Sequence, residues 1–332
     1  MKRAGNLFHQ ITDFQNLYLA FKKAFKGTNR TEDSLSFYFN IEKELFVLKK
    51  ELEAKTYQPG AYRHFKVFDP KERTISVAPF RDRVVHHAIV NVLELIYEKR
   101  FIFDSYATRK EKGTHKAILR AQAFLRKNRW FLKADIEKYF ENINHNILIA
   151  ILERKIKDMD ALLLLERIIR NGGQNGRGLP IGNLTSQFLA NVYLDPFDHF
   201  VKEELGERFY VRYMDDFIIF GKEKGHLKNL RFRVENFLRV QLNLRLKEKI
   251  VMINQRAHGL SFLGARVFPR LTRIKKESLK RCLKKFKERL NDMKNGKLSE
   301  ERLRHSLDSI IGHLAFFNSQ ELTRNIFWGR CH

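Results

Sequence analysis

The most informative stretch of this 332-residue chain runs from Phe209 to Phe220 and reads Phe-Tyr-Val-Arg-Tyr-Met-Asp-Asp-Phe-Ile-Ile-Phe. Its two acids, Asp215 and Asp216, stand between runs of apolar, β-branched and aromatic residues that are typical of strands, so we predict a hairpin with both carboxylates at its bend. An Asp-Asp pair alone is usually a solvated turn, but chance produces the whole Tyr-Met-Asp-Asp tetrad in only about one chain in a thousand of this length. Rigidly held acids suit divalent metal ions, which can clamp the attacking and leaving oxygens of a phosphoryl transfer.

The charge balance indicates a polyanionic partner. The chain has 64 Lys and Arg against 38 Asp and Glu, a formal net charge of +26. Each basic side chain that meets a phosphate releases a condensed counterion, which favours nucleic acid as the partner over a merely basic soluble surface or a membrane-facing one. The length predicts two or three packed subdomains.

Cysteine usage and hydropathy exclude several other classes. Cys282 and Cys331 are the only cysteines, so a disulfide framework and a Cys-rich zinc site are both excluded, and Cys331-His332 lacks further ligands at finger-like spacing. No run of eighteen apolar residues occurs, and Lys2 and Arg3 are not followed by an apolar signal segment. We therefore expect a cytoplasmic protein that does not contact a membrane.

Periodicity predicts a mixed order of helices and strands. Helical spacing is found in most of residues 1–57, with a cap near Thr31, and in the segments Val84–Arg100, Thr114–Arg129, about His145–Ile169, from near Asn183, and about 223–241. Alternation predicts a basic hairpin over Tyr62–Val77, around Asp69-Pro70-Lys71, and strands at Trp130–Ala134 and Leu260–Gly264. Residues 266–297 hold thirteen Lys and Arg against three acids, which predicts a basic, largely helical segment after a boundary near residue 265.

A metal site for phosphate chemistry needs an acid from a second strand, and Asp135 is the best candidate. It ends the predicted strand Trp130–Ala134, so its side chain would project at a strand tip on a rigid part of the scaffold. The alternative is an N-cap on the following segment.

Four features occur in the order of the motif blocks of reverse transcriptases. They are Asp135 followed five residues later by Phe140, the loop and helix start Gly178–Gln187, the Tyr213–Asp216 box, and Phe262–Gly264. Over about residues 13–332 the chain resembles the reverse transcriptases of diversity-generating retroelements. The first acid block and the box are specific for reverse transcriptases, and the Ile-Gly-x-x-x-Ser-Gln form at Ile181–Gln187 is similar to that subfamily.

The resemblance implies an α+β right-hand polymerase. The expected parts are fingers with an N-terminal helical extension over residues 1–125, a palm with an antiparallel sheet and the catalytic acids over 126–264, and a basic helical thumb over 265–332. The implied activity is RNA-directed DNA polymerisation that makes cDNA from a template-repeat RNA, is error-prone opposite template adenines, and serves mutagenic retrohoming.

The resemblance also implies a two-ion magnesium centre. Asp135, Asp215 and Asp216 would be catalytic and would hold two Mg²⁺ ions together with the backbone carbonyl of Ile136. Oxygen-only ligands of this kind suit Mg²⁺ and argue against zinc. Asp216 follows Asp215 on a strand, so its side chain is expected to turn to the other face.

Further roles come from residues that match the family's other motifs. Phe140 would exclude a 2′-hydroxyl, although an ordinary core aromatic is the alternative. Lys66 and Arg73 match residues that grip the triphosphate, and Lys247 matches a general acid toward pyrophosphate, although a solvated lysine is equally compatible with its surroundings. The remaining implied residues are Ile181 and Gln187 at the nucleotide, Phe262, Leu263 and Gly264 in the primer grip, and Arg273, Lys275, Lys276, Lys280, Arg281 and Lys284 on the nucleic acid.

Ile181 stands where many reverse transcriptases have Gln, whose amide orients the incoming nucleotide. Isoleucine has no hydrogen-bonding group. We hypothesise that this change weakens discrimination at the nascent base pair and contributes to misincorporation opposite template adenines.

The implied partners are template RNA, the RNA–cDNA duplex, dNTPs and a small oligomeric accessory protein. Two alternatives remain. One is a group II intron-like or retron reverse transcriptase, although nothing here resembles a His-Asn-His endonuclease or an appended maturase domain. The other is a catalytically inert RNA-binding scaffold, which the intact acids argue against.

Overall fold

The computed structural model describes residues 3–26, 30–68 and 72–317. Lys2, the predicted turn at Asp69-Pro70-Lys71, and Cys331-His332 lie outside these residues. The helices are α1 (Leu7–Thr12), α2 (Phe14–Phe25), α3 (Glu32–Phe39), α4 (Ile41–Glu53), α5 (Phe80–Tyr97), α6 (Thr114–Lys127), α7 (Tyr139–Asn142), α8 (His145–Glu153), α9 (Met159–Asn171), α10 (Leu184–His199), α11 (Lys224–Leu242), α12 (Lys276–Lys294) and α13 (Glu300–Ala315). The strands are β1 (Arg63–Phe68), β2 (Glu72–Val77), β3 (Trp130–Asp135), β4 (Tyr210–Tyr213), β5 (Asp216–Gly221), β6 (Met252–Gln255), β7 (Leu260–Phe262), β8 (Ala265–Val267) and β9 (Thr272–Ile274).

The central sheet has the antiparallel order β4-β5-β3-β6. Successive residues of a strand point to opposite faces, and both faces of this sheet are apolar. Leu132 and Phe217 lie in the core shared with α10 and α11. Phe131, Ile218 and Phe220 lie in a second core with α6 and the small sheet β7-β8-β9. Because both faces are packed, the ends of β3 and β5 are rigid supports for whatever they carry.

The N-terminal helices form a layer around α5. Leu17 of α2 and Leu48 of α4 are fully buried in the main core, as the helical spacing predicts. The predicted cap is confirmed, since the Thr31 side chain accepts a hydrogen bond from the Ser34 N–H at the start of α3. The hairpin β1-β2 leaves this layer with all of β1 exposed.

One predicted helix is wrong as a single element. Residues 145–169 form α8 and α9, separated by a break in which the chain pairs with the N-terminal segment: the Ala4 N–H donates to the Lys155 carbonyl and the Lys157 N–H donates to the Ala4 carbonyl, both at 2.8 Å. Asp158 then caps α9 and also accepts from the Leu7 and Phe8 N–H groups. Contacts across about 150 residues therefore end the helix, and local periodicity does not report them.

The predicted strand Leu260–Gly264 is two residues too long. Leu263 and Gly264 have positive φ angles of 47° and 80°, which turn the chain from β7 into β8. The small sheet thus spans residues 260–274, and the helices of the basic segment begin at Lys276. Helix α5 begins at Phe80, four residues before the predicted start. Within the described ranges, no helix is both long and apolar enough to cross a bilayer.

Candidate active site

The bend between β4 and β5 is a strained two-residue turn. Tyr213 pairs with Asp216, so Met214 and Asp215 form the connection, and Met214 has a φ of 56°. The left-handed region costs a non-glycine residue about 1–2 kcal/mol, so the surroundings must hold the turn in place. The Ile136 N–H donates to the Asp215 carbonyl at 3.3 Å, and Arg212 Nη1 donates to the Met214 carbonyl at 3.0 Å.

Arg212 is a buried clamp behind this turn. Its guanidinium donates from Nε and Nη2 to the two carboxylate oxygens of Asp198, at 2.7 and 2.5 Å, and both side chains are fully buried. Nη1 also donates to Asn191 Oδ1, and the Tyr210 hydroxyl donates to Asp198. Burial lowers the pKa of Arg212, but the charge of Asp198 outweighs it and keeps the guanidinium protonated. The sequence reading missed this clamp; its only local signal is a basic residue inside an apolar strand.

The three predicted acids converge at one end of the central sheet. Asp135 and Asp216 are direct cross-strand partners, and Asp215 lies at the adjacent bend. Side chains of opposed residues share a face, with Cβ atoms roughly 5 Å apart. The Asp216 side chain therefore lies on the same face of the sheet as the Asp135 side chain. On that face, Lys133 Nζ is 3.1 Å from Asp216 Oδ2.

The electrostatics of the acids favour a bound cation. Burial and then the charge of Asp135 raise the pKa of Asp215 to about 6. Burial raises the pKa of Asp216 to about 7 although Lys133 opposes this shift, and its Oδ1 is buried without a hydrogen-bond partner among the described residues. In residues 3–26, 30–68 and 72–317, no three His, Cys, Asp or Glu side chains are grouped as a ready-made metal site. An ion held here would thus need additional oxygen ligands from the backbone, water or a bound phosphate.

The β1-β2 hairpin brings one of its two predicted basic residues to the acids. The charge of Arg73 lowers the pKa of Asp215, so Arg73 is near enough to interact electrostatically with that carboxylate. Arg73 lies opposite Val67, whereas Lys66 lies opposite Thr74, so Lys66 and Arg73 project from opposite faces. Lys66 forms a 2.6 Å ion pair with Glu72 on the far face. The structure does not bring Lys66 to the acids.

Backbone hydrogen bonds place two further predicted residues, Lys247 and Phe140. The Lys247 N–H donates to the Asp135 carbonyl at 2.8 Å, which places the segment 245–247 beside the strand end. Phe140 is half-buried on α7, and its carbonyl accepts from the Leu179 N–H at 2.8 Å. Phe140 therefore lies beside the loop that precedes α10.

That loop is fastened to the β1-β2 hairpin. The Ser76 N–H donates to the Ile181 carbonyl at 2.8 Å, and the Asn183 side-chain amide donates to the Ser76 carbonyl at 2.9 Å. Gly182 has a φ of 113°, and a Cβ there would lie 2.8 Å from the Ile75 side chain, so this approach requires glycine. Gln187 is one helical turn before Asn191, which contacts Arg212, so it lies on the same side of α10.

The predicted primer grip and basic thumb residues lie beyond Asp216. Phe262 is fully buried, so the part of the grip that can contact a ligand is the turn Leu263–Gly264. Lys133 Nζ donates to the Ser261 carbonyl at 2.8 Å and so connects Asp216 to this turn. Burial and then the charge of Lys133 lower the pKa of Lys275. The other predicted contacts extend away along β9 and α12, where Arg273, Lys276, Lys280 and Lys284 are exposed and Arg281 is half-buried.

Comparisons with known proteins agree with this geometry. The family model described as reverse transcriptase (RNA-dependent DNA polymerase) matches residues 66–267. Protein YkfC of Escherichia coli K12 is 28% identical over 281 residues, covering 69% of this chain and 72% of that protein. The group II intron-encoded protein LtrA of Lactococcus lactis is 31% identical over 199 residues, covering 57% of this chain and 32% of LtrA.

Solved structures show the same fold. The telomerase of Candida tropicalis superposes with a TM-score of 0.52 at 13% identity, covering 81% of this chain and 59% of that one. A Candida albicans telomerase in complex with a fragment of telomeric RNA gives 0.50 at 10% identity, covering 84% and 60%. The chain thus spans about a third of LtrA and about three fifths of the telomerases.

Proposed function

This chain belongs to the reverse transcriptase family, and from that premise we propose that it makes cDNA on an RNA template by two-metal nucleotidyl transfer. The observation that carries the proposal is the convergence of Asp135, Asp215 and Asp216 at one rigid end of the central sheet. The proposed parts are fingers over residues 1–125, palm over 126–264 and thumb over 265–332.

The acids fit a pair of magnesium ions. They are close together and partly desolvated, and one oxygen of Asp216 has no partner in the described chain. Asp135, Asp215 and Asp216 would hold the ions with the carbonyl of Ile136. Bound magnesium supplies positive charge that activates the primer 3′-hydroxyl and stabilises the leaving pyrophosphate.

The surrounding side chains would position the nucleotide. Arg73 interacts electrostatically with Asp215 and would bind the triphosphate through its planar guanidinium. Lys247, beside Asp135, would donate a proton to pyrophosphate, and Phe140 would lie under the sugar. Lys66 would contribute only from the opposite face of the hairpin, and Gln187 and Ile181 would line the base.

Primer extension tests the proposal directly. With an RNA template, a DNA primer, dNTPs and Mg²⁺, we expect extension that chelation of the metal abolishes. Tight RNA binding without extension under these conditions would instead identify an inert scaffold.

Replacing Phe140 with alanine should admit ribonucleotides. The loss of the ring opens space for a 2′-hydroxyl, so we expect the preference for dNTP over rNTP to fall by about 10- to 100-fold. Single-nucleotide incorporation measures this ratio. Phe232→Ala, at a highly exposed aromatic on α11, is the matched control. An equal loss with both nucleotides would identify Phe140 as a core residue only.

We also propose that the chain serves a diversity-generating retroelement. The support is the sequence form of Ile181–Gln187 and the lack of a hydrogen-bonding group on Ile181. The template would be a template-repeat RNA, copied with a small oligomeric accessory protein in the cytoplasm of a bacterium, with the gene carried by the bacterium or by a phage. The cDNA would serve mutagenic retrohoming. Flanking DNA with an accessory gene and paired repeats that differ at adenines would support this role.

Ile181→Gln is expected to raise fidelity at template adenines. The introduced amide can hydrogen-bond in the base-pair pocket, and one such bond is worth about 1 kcal/mol, so errors opposite adenine should fall by roughly fivefold. Sequencing of cDNA measures the error spectrum, with Ile181→Leu as the apolar control. An unchanged rate at adenine would remove Ile181 as the cause.

The second candidate is a group II intron-like reverse transcriptase, and the similarity to LtrA favours it. The two readings differ in the error spectrum of the unmodified protein. Errors concentrated opposite adenine support the first candidate, and a low, even error rate supports the second.

A further inference from the structure

A basic cleft lies outside the proposed catalytic groove, by which we mean the surface that carries Asp135, Asp215, Asp216 and the turn Leu263–Gly264. It has a volume of about 750 Å³ and lies between the end of α6, the short helical turn Arg256–His258 and the β8-β9 turn. We call it the arginine cleft; its lining residues are Arg126, Arg256, Phe268, Pro269, Arg270 and Leu271.

The walls of the arginine cleft are held by long-range hydrogen bonds. Arg126 Nε donates to the Pro269 carbonyl at 2.7 Å, and the Gln122 amide donates to the Phe268 carbonyl at 3.1 Å, so α6 is joined to the β8-β9 turn. The Phe268 ring lies against Gly259, where a Cβ would be 2.6 Å from the ring. The walls of the cleft are therefore fixed in position, and the Phe268 ring packs against the backbone at Gly259.

Helix capping explains only part of the positive charge of the arginine cleft. Arg256 Nη1 donates to the carbonyls of Leu125 and Arg126, which is the usual way for a cation to complete a helix C-terminus. Arg270, which also lines the cleft, is exposed and is not needed for that purpose. None of the described residues that line the cleft is an acid, so its electrostatic field attracts phosphate.

The shape favours an unpaired nucleotide over a duplex. The volume is within the range of small-ligand sites, whereas a duplex backbone needs a broad surface. An aromatic ring beside guanidinium groups is the arrangement on which unstacked RNA bases stack while their phosphates are neutralised.

We propose that the arginine cleft binds an unpaired nucleotide of the RNA that carries the template; this inference rests on the proposed function. The β8-β9 turn is at the end of the small sheet opposite Leu263–Gly264, a strand length of about 10 Å away. A folded RNA supplies unpaired loops and bulges, whereas product leaves the groove as a duplex. One RNA could thus occupy the groove and the cleft together.

Binding of two RNAs of equal length tests the proposal: a hairpin with an unpaired loop and a fully paired duplex. Arg270→Glu should weaken hairpin binding by about tenfold and reduce the salt slope by about one. Phe268→Leu should weaken the hairpin by about fivefold and leave the duplex unchanged, because only a base stacks on the ring. Lys228→Glu on α11 has the same charge change at an exposed site and is the control.

Extension of a short primer–template is measured in parallel, and we expect all three variants to match the parent chain. If Arg270→Glu behaves as Lys228→Glu does, or if Phe268→Leu weakens hairpin and duplex equally, the proposal is wrong. A third outcome is that the parent chain extends no primer and yet binds the hairpin more tightly than the duplex, in a way that Phe268→Leu abolishes. That result would overturn the polymerase function and still support the proposal that the arginine cleft binds an unpaired nucleotide.

Discussion

Asp215→Ala is expected to abolish primer extension while the chain stays folded. Asp215 would hold a metal ion next to the reacting phosphate. Stabilisation of the transition-state charge by such an ion is worth several kcal/mol, so the rate should fall by about a thousandfold or more. Single-turnover extension on an RNA template is the measurement. Asp308→Ala, an exposed acid on α13, is the matched control and should keep the parent rate. Extension that survives the loss of Asp215 would remove the polymerase assignment.

The pKa of Asp215 provides a second readout at the same position, with the substitution Asp215→Asn. Its pKa rises from 3.8 unfolded to about 6 folded, so the folded chain holds this proton more tightly. The resulting stabilisation is fully present below about pH 4 and is lost as the pH rises through about 6. Without divalent ions, Asp215→Asn should therefore unfold less readily than the parent at pH 8, by about 1–3 kcal/mol, with little difference at pH 4. A variant that is less stable at pH 8 would contradict the proposed electrostatics.

Arg212→Met is expected to cause the largest loss of stability. It leaves the buried Asp198 carboxylate without its ion-pair partner, and breaking such a pair from one side costs about 3–5 kcal/mol. It also removes the donor to the Met214 carbonyl, so the strained bend that carries Asp215 loosens and extension falls. Denaturant unfolding and primer extension measure the two effects. Arg208→Met, at an exposed position, should change stability by less than about 0.5 kcal/mol.

A double variant separates the two effects of Arg212, its ion pair with Asp198 and its hydrogen bond to the Met214 carbonyl. Arg212→Met with Asp198→Leu leaves no unpaired charge, so much of the lost stability should return. Extension should remain impaired because the Met214 carbonyl still lacks its donor. Full recovery of extension in the double variant would show that Arg212 acts only through stability.

Local patterns were sufficient for the class and the main motifs. Alternation before Asp135 and around Asp215 predicts three strands that the structure has, β3, β4 and β5. The motif order predicts a reverse transcriptase with the right-hand fold, which the family match and the telomerase likeness confirm. The retroelement subfamily, the magnesium ions and the individual residue roles stay predictions. Local patterns failed at residues 154–158, where the N-terminal segment pairs with the chain and divides a helix.

By itself, the sequence determined the family and the candidate residues of the site, because strand alternation and motif spacing are short-range properties. Only the tertiary structure decided how those residues meet. The β3-β5 register places Asp216 opposite Asp135, the β1-β2 register separates Lys66 from Arg73, and packing of α10 against β4 joins Asp198 to Arg212. These relations depend on hydrogen-bond register and on the burial of charge between elements distant in the chain, and neither leaves a periodic trace in the sequence.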